Sequence, residues 1–308
     1  MAKKLNKSTF VSIHGGLGNQ LFQLGLAEIL SRESHVTLTH WRGNCRTDQK
    51  NVPWIHYYEA AKQFAEKQNR LDQILMFYAR SCFKIASRSR KNYFSKWVFQ
   101  KINFFLVFFP KLFQIGIITT PELGDFAKPK LLRRNYVFAY FQTVRASDAL
   151  KKKLKVENST HKNLLPIDFD LGKEILVVHI RRTDYLENPK IGALPKIYFH
   201  DALEHLAKIY SWDELWLFSD DINEALEMIP KKFNTKIRIT SQGDENPVET
   251  LALMSYGKSF ILSNSTFGWW SAILAHTTPA HVVVPKKWFR EIPEPLGLIP
   301  PNWIRVDM

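Results

Sequence analysis

Apolar residues follow two alternating patterns along the chain. Short β-branched runs are typical of buried strands in a parallel sheet, and apolar residues three or four positions apart are typical of amphipathic helices. The short runs predict strands at residues 8–14, 36–39, 136–141, 175–180, 215–218, 236–240, 259–262 and 282–284. The helical spacing predicts helices at residues 19–30, 59–86, 197–210, 222–228, 246–256 and 267–274. This alternation predicts an α/β fold with two Rossmann-like domains facing across a cleft.

A proline-containing stretch, Pro166–Gly172, marks the predicted boundary between the two domains. The first domain is therefore expected over residues 1–165 and the second over residues 166–308. A length of 308 residues suits two domains of ordinary size, and a hydrophobic content of 45% excludes global disorder.

The positive charge of the chain is concentrated in one segment. The net charge is +14, and residues 80–155 contain 17 Lys and Arg against 3 acidic residues, so this segment carries the whole excess. Its basic residues alternate with aromatic ones, a mixture that suits an anionic membrane surface and would also attract a nucleic acid. We expect peripheral attachment of this basic aromatic insertion to an anionic membrane. No nucleic acid partner is expected, because the sharpest motifs lie outside the segment.

Cysteine content and the N-terminal sequence point to a reducing compartment. Cys45 and Cys82 are the only cysteines, which excludes a disulfide scaffold and a cysteine-rich zinc site. The basic N-terminal residues are followed by an apolar stretch too short for a signal peptide. We therefore expect a cytoplasmic protein, with peripheral attachment at the inner face of a membrane.

A buried-looking run at residues 174–184, EILVVHIRRTD, ends in a cluster of charged and polar side chains. His179, Arg181, Arg182 and Asp184 lie at or just beyond the carboxyl end of the predicted strand. Ligands of open α/β sheets bind outside the carboxyl ends of the strands. The planar guanidinium groups of two arginines suit the oxygens of a diphosphate. The alternative is a solvated loop with a surface salt bridge.

Two further turns follow predicted strands and precede predicted helices. Residues 13–23, IHGGLGNQLFQ, contain a glycine loop that offers close backbone approach to a ligand. Its spacing is not G-x-G-x-x-G, so it does not indicate dinucleotide binding. Residues 263–265, Ser-Asn-Ser, precede a helix and predict a phosphate site. The candidate residues of the glycine loop are Gly15, Gly16, Gly18, Asn19 and Gln20, and those of the second turn are Ser263, Asn264 and Ser265.

Two other acidic pairs have structural as well as functional interpretations. Asp220 follows the strand at 215–218 and could accept a hydrogen bond from a ribose hydroxyl or a base, whereas Asp221 is expected to cap the next helix. Asp168 and Asp170 form a D-x-D pair of the kind that binds a divalent ion under a nucleotide diphosphate. The arginines already supply positive charge for a diphosphate, so we expect no metal ion and no other cofactor.

Three of these stretches occur together in the order and spacing of one family. VVHIRRTD, IHGGLGNQLFQ and SNSTFGWWSAIL resemble motifs of the α-1,2-fucosyltransferases, glycosyltransferase family 11. The H-x-R-R-x-D pattern is shared with α-1,6- and protein O-fucosyltransferases. The resemblance implies a GT-B-like, metal-independent enzyme that binds the nucleotide in its second domain and the acceptor in its first. The implied reaction is inverting transfer of L-fucose from GDP-fucose to the 2-OH of a galactose in an oligosaccharide or lipid-linked glycan.

The resemblance also implies roles for the candidate residues. Arg181 and Arg182 would stabilise the charge that develops on the departing diphosphate, and they form the catalytic set together with Asp184. The implied donor-binding residues are His179, Arg181, Arg182, Asp220, Ser263, Asn264 and Ser265. The catalytic base is left open among Asp184, Glu187, His14 and a phosphate oxygen acting through water. Two alternatives are a transferase for another nucleotide sugar and a basic nucleic-acid-binding protein.

Overall fold

The computed structural model describes residues 6–64, 69–88, 111, 113–120, 123–125, 130–166, 169–241 and 246–307. The chain forms two compact units. The first contains residues 1–150 and Pro295–Leu298, and the second contains residues 151–294 and 299–308. Each unit is built on a parallel sheet with helices, so the predicted α/β class is confirmed.

The first unit contains a four-stranded sheet in the order β2-β1-β4-β3, and every neighbouring pair of strands is parallel. Its strands are β1 (Ser8–Gly15), β2 (His35–Cys45), β3 (Ile115–Thr119) and β4 (Arg134–Phe138). Its helices are α1 (Leu17–Leu30), α2 (Glu59–Lys62) and α3 (Arg70–Arg88), with a 3-10 turn at Trp54–Tyr57. Helix α4 (Val144–Asn158) begins in this unit, and the chain passes into the second unit within it.

Helix α3 packs one apolar side against the first sheet. Met76, Ala79 and Cys82 are buried in a cluster with residues of β1, β3 and β4. The sequence pattern predicts five apolar residues on one side of a helix over 59–86, namely Phe64, Leu71, Ile74, Leu75 and Tyr78. Leu75 and Tyr78 pack against this cluster as expected. Leu71 and Ile74 do not, since their exposed fractions are 51% and 61%. When a helix has apolar residues on more than one side, its sequence does not indicate which side faces the sheet.

The second unit contains a six-stranded parallel sheet in the order β7-β6-β5-β8-β9-β10. Its strands are β5 (Ile175–Ile180), β6 (Glu214–Ser219), β7 (Ile237–Ser241), β8 (Ser259–Leu262), β9 (His281–Pro285) and β10 (Ile304–Val306). Its helices are α5 (Thr183–Leu186), α6 (Lys196–Ile209), α7 (Ile222–Glu227), α8 (Pro247–Met254) and α9 (Thr266–Ile273), with 3-10 turns at Lys162–Leu164 and Lys231–Lys236. Counted from β5, the order is 3-2-1-4-5-6, which is that of the doubly wound dinucleotide-binding fold.

Strand β5 lies at the centre of this sheet, and all six of its residues are buried. This burial on both faces explains the continuous apolar run in the sequence. Residues 282–284 are the last strand that the sequence pattern predicts, and we would expect them to close the sheet. That expectation is wrong, because β10 pairs with β9 beyond them. Strand β10 has only three residues and follows a proline-rich stretch, so it leaves little periodic signal.

Two other local predictions concern residues 151–155 and Asp221. The lysine-rich run at 151–155 is predicted to be a solvated helix end or a linker, and it lies within helix α4. Asp221 caps helix α7 as expected, with its side chain accepting a hydrogen bond from the Glu224 backbone N–H. In the described part of the chain, no helix combines the length and apolar character needed to cross a bilayer. Most of the aromatic residues of the basic insertion, including Trp97, Phe99, Phe104 and Phe105, lie outside the described residues.

Candidate active site

The candidate residues of the second unit meet where strands β5 and β8 lie side by side. Connections from these two strands lead in opposite directions across the sheet, which creates the crevice where doubly wound folds bind ligands. His179 lies at the end of β5, Asp220 follows β6, and Ser263 follows β8. The fold therefore brings together three stretches that are separated by about forty residues each in the sequence.

Asp220 braces the turn that carries the two arginines. Its Oδ1 accepts a hydrogen bond from the Arg182 backbone N–H at 2.8 Å, and its Oδ2 accepts from the Thr183 backbone N–H at 3.1 Å and from the Thr183 hydroxyl. Burial opposes ionisation of this carboxyl group, but the Thr183 hydrogen bond and the Arg181 charge outweigh burial and lower its pKa. The predicted contact of Asp220 with a ribose or base stays a prediction, since the described contacts of its carboxylate hold the turn.

Arg181 is paired with two carboxylates. Its Nε lies 2.9 Å from Asp184 Oδ1 and 3.2 Å from Asp220 Oδ2, and its guanidinium lies 5.9 Å from the centre of the Tyr185 ring. Burial alone would lower the pKa of Arg181, but the hydrogen bond to Asp184 and the charges of Asp220 and Asp184 raise it. Arg181 is therefore cationic at every accessible pH, and much of its charge is already compensated.

Arg182 is much less compensated. Its Nη2 lies 3.5 Å from Glu224 Oε2, whose side chain is largely exposed, and its Nη1 lies 3.8 Å from the weakly accepting Met228 sulfur. Its buried Nε has no hydrogen-bond partner among the described residues. The second arginine of the motif thus retains both charge and donor capacity for an anion.

Ser263 links the ends of β5 and β8 through His179. The Ser263 hydroxyl lies 3.0 Å from His179 Nδ1 and accepts a hydrogen bond from the Arg181 backbone N–H at 3.1 Å. Burial, reinforced by the nearby Arg181 charge, lowers the pKa of His179 to about 3, so its imidazole is neutral at pH 7. Helix α9 approaches this ring closely, because a Cβ added to Gly268 would lie 2.8 Å from His179 Nδ1.

Asn264 and Ser265 shape the neighbouring loop and helix. The Asn264 amide donates hydrogen bonds to the carbonyl oxygens of Ile191 and Gly192, at 3.2 Å and 3.0 Å. The Ser265 side chain caps α9 by accepting from the Phe267 backbone N–H. The phosphate-binding roles expected of Ser263, Asn264 and Ser265 stay predictions, and their described contacts place the start of α9 beside the arginine turn.

The glycine loop of the first unit, Gly15–Gln20, is held in shape by Gln20. The buried Gln20 amide donates to the carbonyl oxygens of Gly15 and Arg46, at 3.0 Å and 2.8 Å, and accepts from the Ile55 backbone N–H at 2.9 Å. Both of its amide protons are used within the protein. Gly18 lies in the first turn of α1, while the Asn19 side-chain oxygen Oδ1 accepts a 2.9 Å hydrogen bond from Gln142 Nε2.

His14, one of the four candidates for the catalytic base, is buried under aromatic rings. Its imidazole stacks on Phe138 with ring centres 4.3 Å apart and meets Tyr140 edge-on at 4.6 Å. Burial lowers its pKa to about 3. A group with so low a pKa is a weak proton acceptor at neutral pH, which disfavours His14 as a general base. Asp184 is paired with Arg181, and Glu187 is exposed.

The D-x-D pair is only partly described. Asp170 accepts a hydrogen bond from the Gly172 backbone N–H at 2.8 Å, whereas Asp168 lies outside the described residues. Within the described ranges, no three His, Cys, Asp or Glu side chains are grouped so that they could hold a metal ion. The expectation of a metal-independent enzyme stays a prediction.

Comparison with known proteins identifies the class. The model of glycosyl transferase family 11 matches residues 8–295, so the chain belongs to this family and is a glycosyltransferase. It is 25% identical over 300 residues to the O-antigen biosynthesis glycosyltransferase WbnK of Escherichia coli, covering 90% of this chain and 93% of that one. It is also 30% identical over 141 residues to an α-1,2-colitosyltransferase of Escherichia coli, covering 42% and 47% of the two chains.

A structural comparison gives a more distant similarity. The fucosyltransferase NodZ from Bradyrhizobium aligns with a TM-score of 0.43 and 14% identity, over 87% of this chain and 93% of that chain.

Several residues of the site carry no motif that a sequence reader would recognise. Thr183 occupies the second of the two variable positions of H-x-R-R-x-D, yet its hydroxyl and backbone N–H both donate hydrogen bonds to Asp220. Glu224 and Met228 approach Arg182 from α7 and the residue that ends it. Gln142 reaches Asn19 from a loop 123 residues further along the chain. Only the position of Thr183 within the motif offered a signal.

A pair of glycine substitutions separates loop shape from ligand approach. Gly15 has φ +76°, and a Cβ there would lie 2.7 Å from the Asn19 amide, so Gly15→Ala should lower stability by about 1–3 kcal/mol. Gly16 has φ −75°, and a Cβ there would have a single neighbour within 4 Å among the described residues, the Arg46 side chain at 3.7 Å. Gly16→Ala should therefore fold normally and lose transferase activity if a substrate approaches this backbone.

Melting temperatures and turnover of the two variants test this expectation. A Gly16→Ala enzyme with both wild-type stability and wild-type turnover would show that no ligand lies against the loop at this position.

Proposed function

We propose that this glycosyltransferase is an inverting galactoside 2-α-L-fucosyltransferase. It would transfer L-fucose from GDP-fucose to the 2-OH of a galactose in an oligosaccharide or lipid-linked glycan. The single observation that carries the proposal is the arginine turn at the junction of β5 and β8, where Asp220 holds the backbone and leaves Arg182 with unused donors. Membership in family 11 supports the reaction class.

The proposed chemistry places developing charge next to Arg182. As the bond from fucose C1 to GDP stretches, the sugar gains oxocarbenium character and negative charge accumulates on the β-phosphate. A preorganised guanidinium stabilises that charge more strongly in the transition state than in the ground state. Arg181 would contribute mainly through the field of the turn, because its Nε already binds Asp184 and Asp220.

The neighbouring groups would complete the donor site without net charge of their own. Neutral His179 and Ser263 lie beneath the turn, and the first turn of α9 offers backbone N–H groups to phosphate oxygens. Inversion requires the acceptor hydroxyl to attack from the face opposite GDP. With His14 disfavoured, the base would be Asp184, Glu187 or a phosphate oxygen acting through water.

GDP binding in the presence of EDTA tests the donor site. GDP should bind without a metal ion because the arginines supply the counter-charge for its diphosphate. At a concentration 100 times its Kd, GDP should add about 2.7 kcal/mol to the free energy of unfolding. The melting temperature should rise with GDP and stay unchanged with an RNA oligomer of matched charge.

Two results would overturn the assignment. A shift with RNA but none with GDP would favour the basic nucleic-acid-binding alternative. Loss of transfer in EDTA with recovery in manganese would return Asp168 and Asp170 to consideration as metal ligands. Direct assay with GDP-fucose and a galactose-terminated acceptor then measures the transfer itself.

A second donor has a specific observation in its favour. The similarity to an α-1,2-colitosyltransferase suggests GDP-colitose, whose sugar is L-fucose without the 3-hydroxyl. The arginine turn would contact the diphosphate in either case and would not discriminate between the two sugars. Comparing kcat/KM for GDP-fucose and GDP-colitose with one acceptor decides the donor. A preference of more than tenfold for GDP-colitose would replace fucose in the proposal.

A further inference from the structure

The loops that follow β1 and β4 are joined by two side-chain amides. These strands are neighbours in the first sheet and run parallel, so both loops emerge at its carboxyl edge. Across the gap, Gln142 Nε2 donates a 2.9 Å hydrogen bond to Asn19 Oδ1. This hydrogen bond orients both side-chain amides. Gln142 Oε1 and Asn19 Nδ2 take no part in it.

The second polar atom of Gln142 is buried and unpaired. Gln142 is 4% exposed, and its Oε1 has no hydrogen-bond partner among the described residues. A buried acceptor without a donor destabilises a folded protein, so such groups are rare unless a ligand or water meets them. The backbone also holds the residue firmly, since Gln142 N–H donates to the Leu123 carbonyl oxygen at 2.7 Å.

The Asn19 side chain presents a donor beside this acceptor. Its Oδ1 already accepts the hydrogen bond from Gln142, so its remaining polar atom is the donor Nδ2. That nitrogen lies 2.7 Å from where a Cβ of Gly15 would be, which means that the glycine makes room for it. Asn19 Nδ2 and Gln142 Oε1 therefore form an oriented pair of one donor and one acceptor, both uncharged.

We propose that Asn19 and Gln142 form a subsite for the hydroxyl groups of a saccharide, an inference that rests on the proposed transferase function. A sugar hydroxyl can accept from Asn19 Nδ2 and donate to Gln142 Oε1, whereas an ionised phosphodiester has no proton to donate to Oε1. The subsite therefore takes the neutral sugar part of a substrate. That sugar belongs either to the glycan acceptor or to the nucleotide-linked donor.

The test compares Gln142→Met with the wild-type protein by direct binding. Methionine keeps the length of the side chain and removes both polar atoms. Affinities are measured for lactose by ligand-observed NMR and for GDP-fucose and GDP by calorimetry. We expect a loss of about tenfold for lactose or for GDP-fucose, the scale of one hydrogen bond left unmade to a substrate hydroxyl. GDP affinity should stay unchanged.

A matched control is available in the same unit. Gln23 is fully buried, and its amide binds the His14 backbone N–H and carbonyl oxygen at 2.9 Å and 3.3 Å. Gln23→Met removes only internal hydrogen bonds, so it should lower the melting temperature without a selective loss of sugar affinity. Gln142→Met should lower sugar affinity with a smaller change in melting temperature.

The outcomes distinguish the source of the sugar and the failure of either proposal. A loss for lactose assigns the subsite to the acceptor, and a loss for GDP-fucose but not GDP assigns it to the donor. Affinities within twofold of wild type for both ligands, or no saccharide binding to the wild type, would overturn the subsite. GDP-fucose that fails to bind, beside a lactose affinity that depends on Gln142, would instead overturn the proposed donor.

Discussion

Arg182→Lys should lower kcat by about a hundredfold while the KM for GDP-fucose changes much less, the scale observed when one preorganised donor is removed from an active site. Lysine retains the positive charge but loses the planar fork and the Nε donor. In the wild type that Nε is buried and has no hydrogen-bond partner in the described part of the chain, where the polar contacts of the guanidinium are those to Glu224 and the Met228 sulfur. The variant therefore loses a hydrogen-bond donor that is not needed for the fold and is available to a ligand.

Stability should hardly respond to this change. None of the described contacts of Arg182 is a strong buried ion pair, so the free energy of unfolding should change by less than about 1 kcal/mol. Measuring kcat, KM and melting temperature together separates loss of transition-state stabilisation from loss of structure.

Arg305→Lys is the matched control. Arg305 forms a forked ion pair with Glu294, at 2.9 Å and 2.7 Å, within the same unit and away from the arginine turn. The Arg305→Lys variant loses the same planar guanidinium but leaves the arginine turn unchanged, so its kcat should equal that of the wild type. Wild-type turnover in Arg182→Lys, or an equal loss in Arg305→Lys, would remove Arg182 from the proposed catalytic residues.

Acid should destabilise the protein steeply through two buried histidines. The pKa values of His14 and His179 are both lowered to about 3 in the folded state, so unfolding below pH 6.5 takes up a proton at each. The stabilisation from each neutral imidazole is fully present above the unfolded pKa and is lost as the pH falls towards 3. The slope from each histidine approaches about 1.4 kcal/mol per pH unit well below pH 6.5 and averages about 1 kcal/mol per pH unit between pH 7 and pH 5. Together the two histidines should therefore cost about 4 kcal/mol across that range.

His14→Phe isolates one half of this effect. The His14 ring stacks on Phe138, so phenylalanine keeps an aromatic ring at this position and removes the titrating group. Chemical denaturation at pH 7, 6 and 5 should give a variant whose slope is shallower by about 1 kcal/mol per pH unit on average. Parallel pH profiles for variant and wild type would contradict the burial of a neutral imidazole at this position.

Sequence pattern anticipates what depends on neighbouring residues in the chain. Strand β5 is predicted over its full length because burial on both faces requires an unbroken apolar run, and the cap formed by Asp221 follows from its place between β6 and α7. The arginine turn is predicted for the same reason, since H-x-R-R-x-D is contiguous and ends a strand.

Contacts between distant segments could not be predicted in this way. The Asn19–Gln142 pair joins residues 123 positions apart, and nothing near Gln142 in the sequence indicates that this polar residue is buried. The orientation of α3 and the addition of β10 are likewise decided by tertiary packing. Glu224 approaches Arg182 only because β5 and β6 are adjacent, which is a property of the sheet.

The close approach of Gly268 to His179 limits which residues can replace either one, and so links the two sequence motifs to which they belong. Any side chain at position 268 would place its first carbon within 2.8 Å of a buried imidazole that cannot move aside, since Ser263 holds its Nδ1. A larger residue at 268 therefore requires a smaller one at 179, and neither change is tolerated first without loss. We therefore expect the two positions, 89 residues apart in the chain, to change together in the course of mutation.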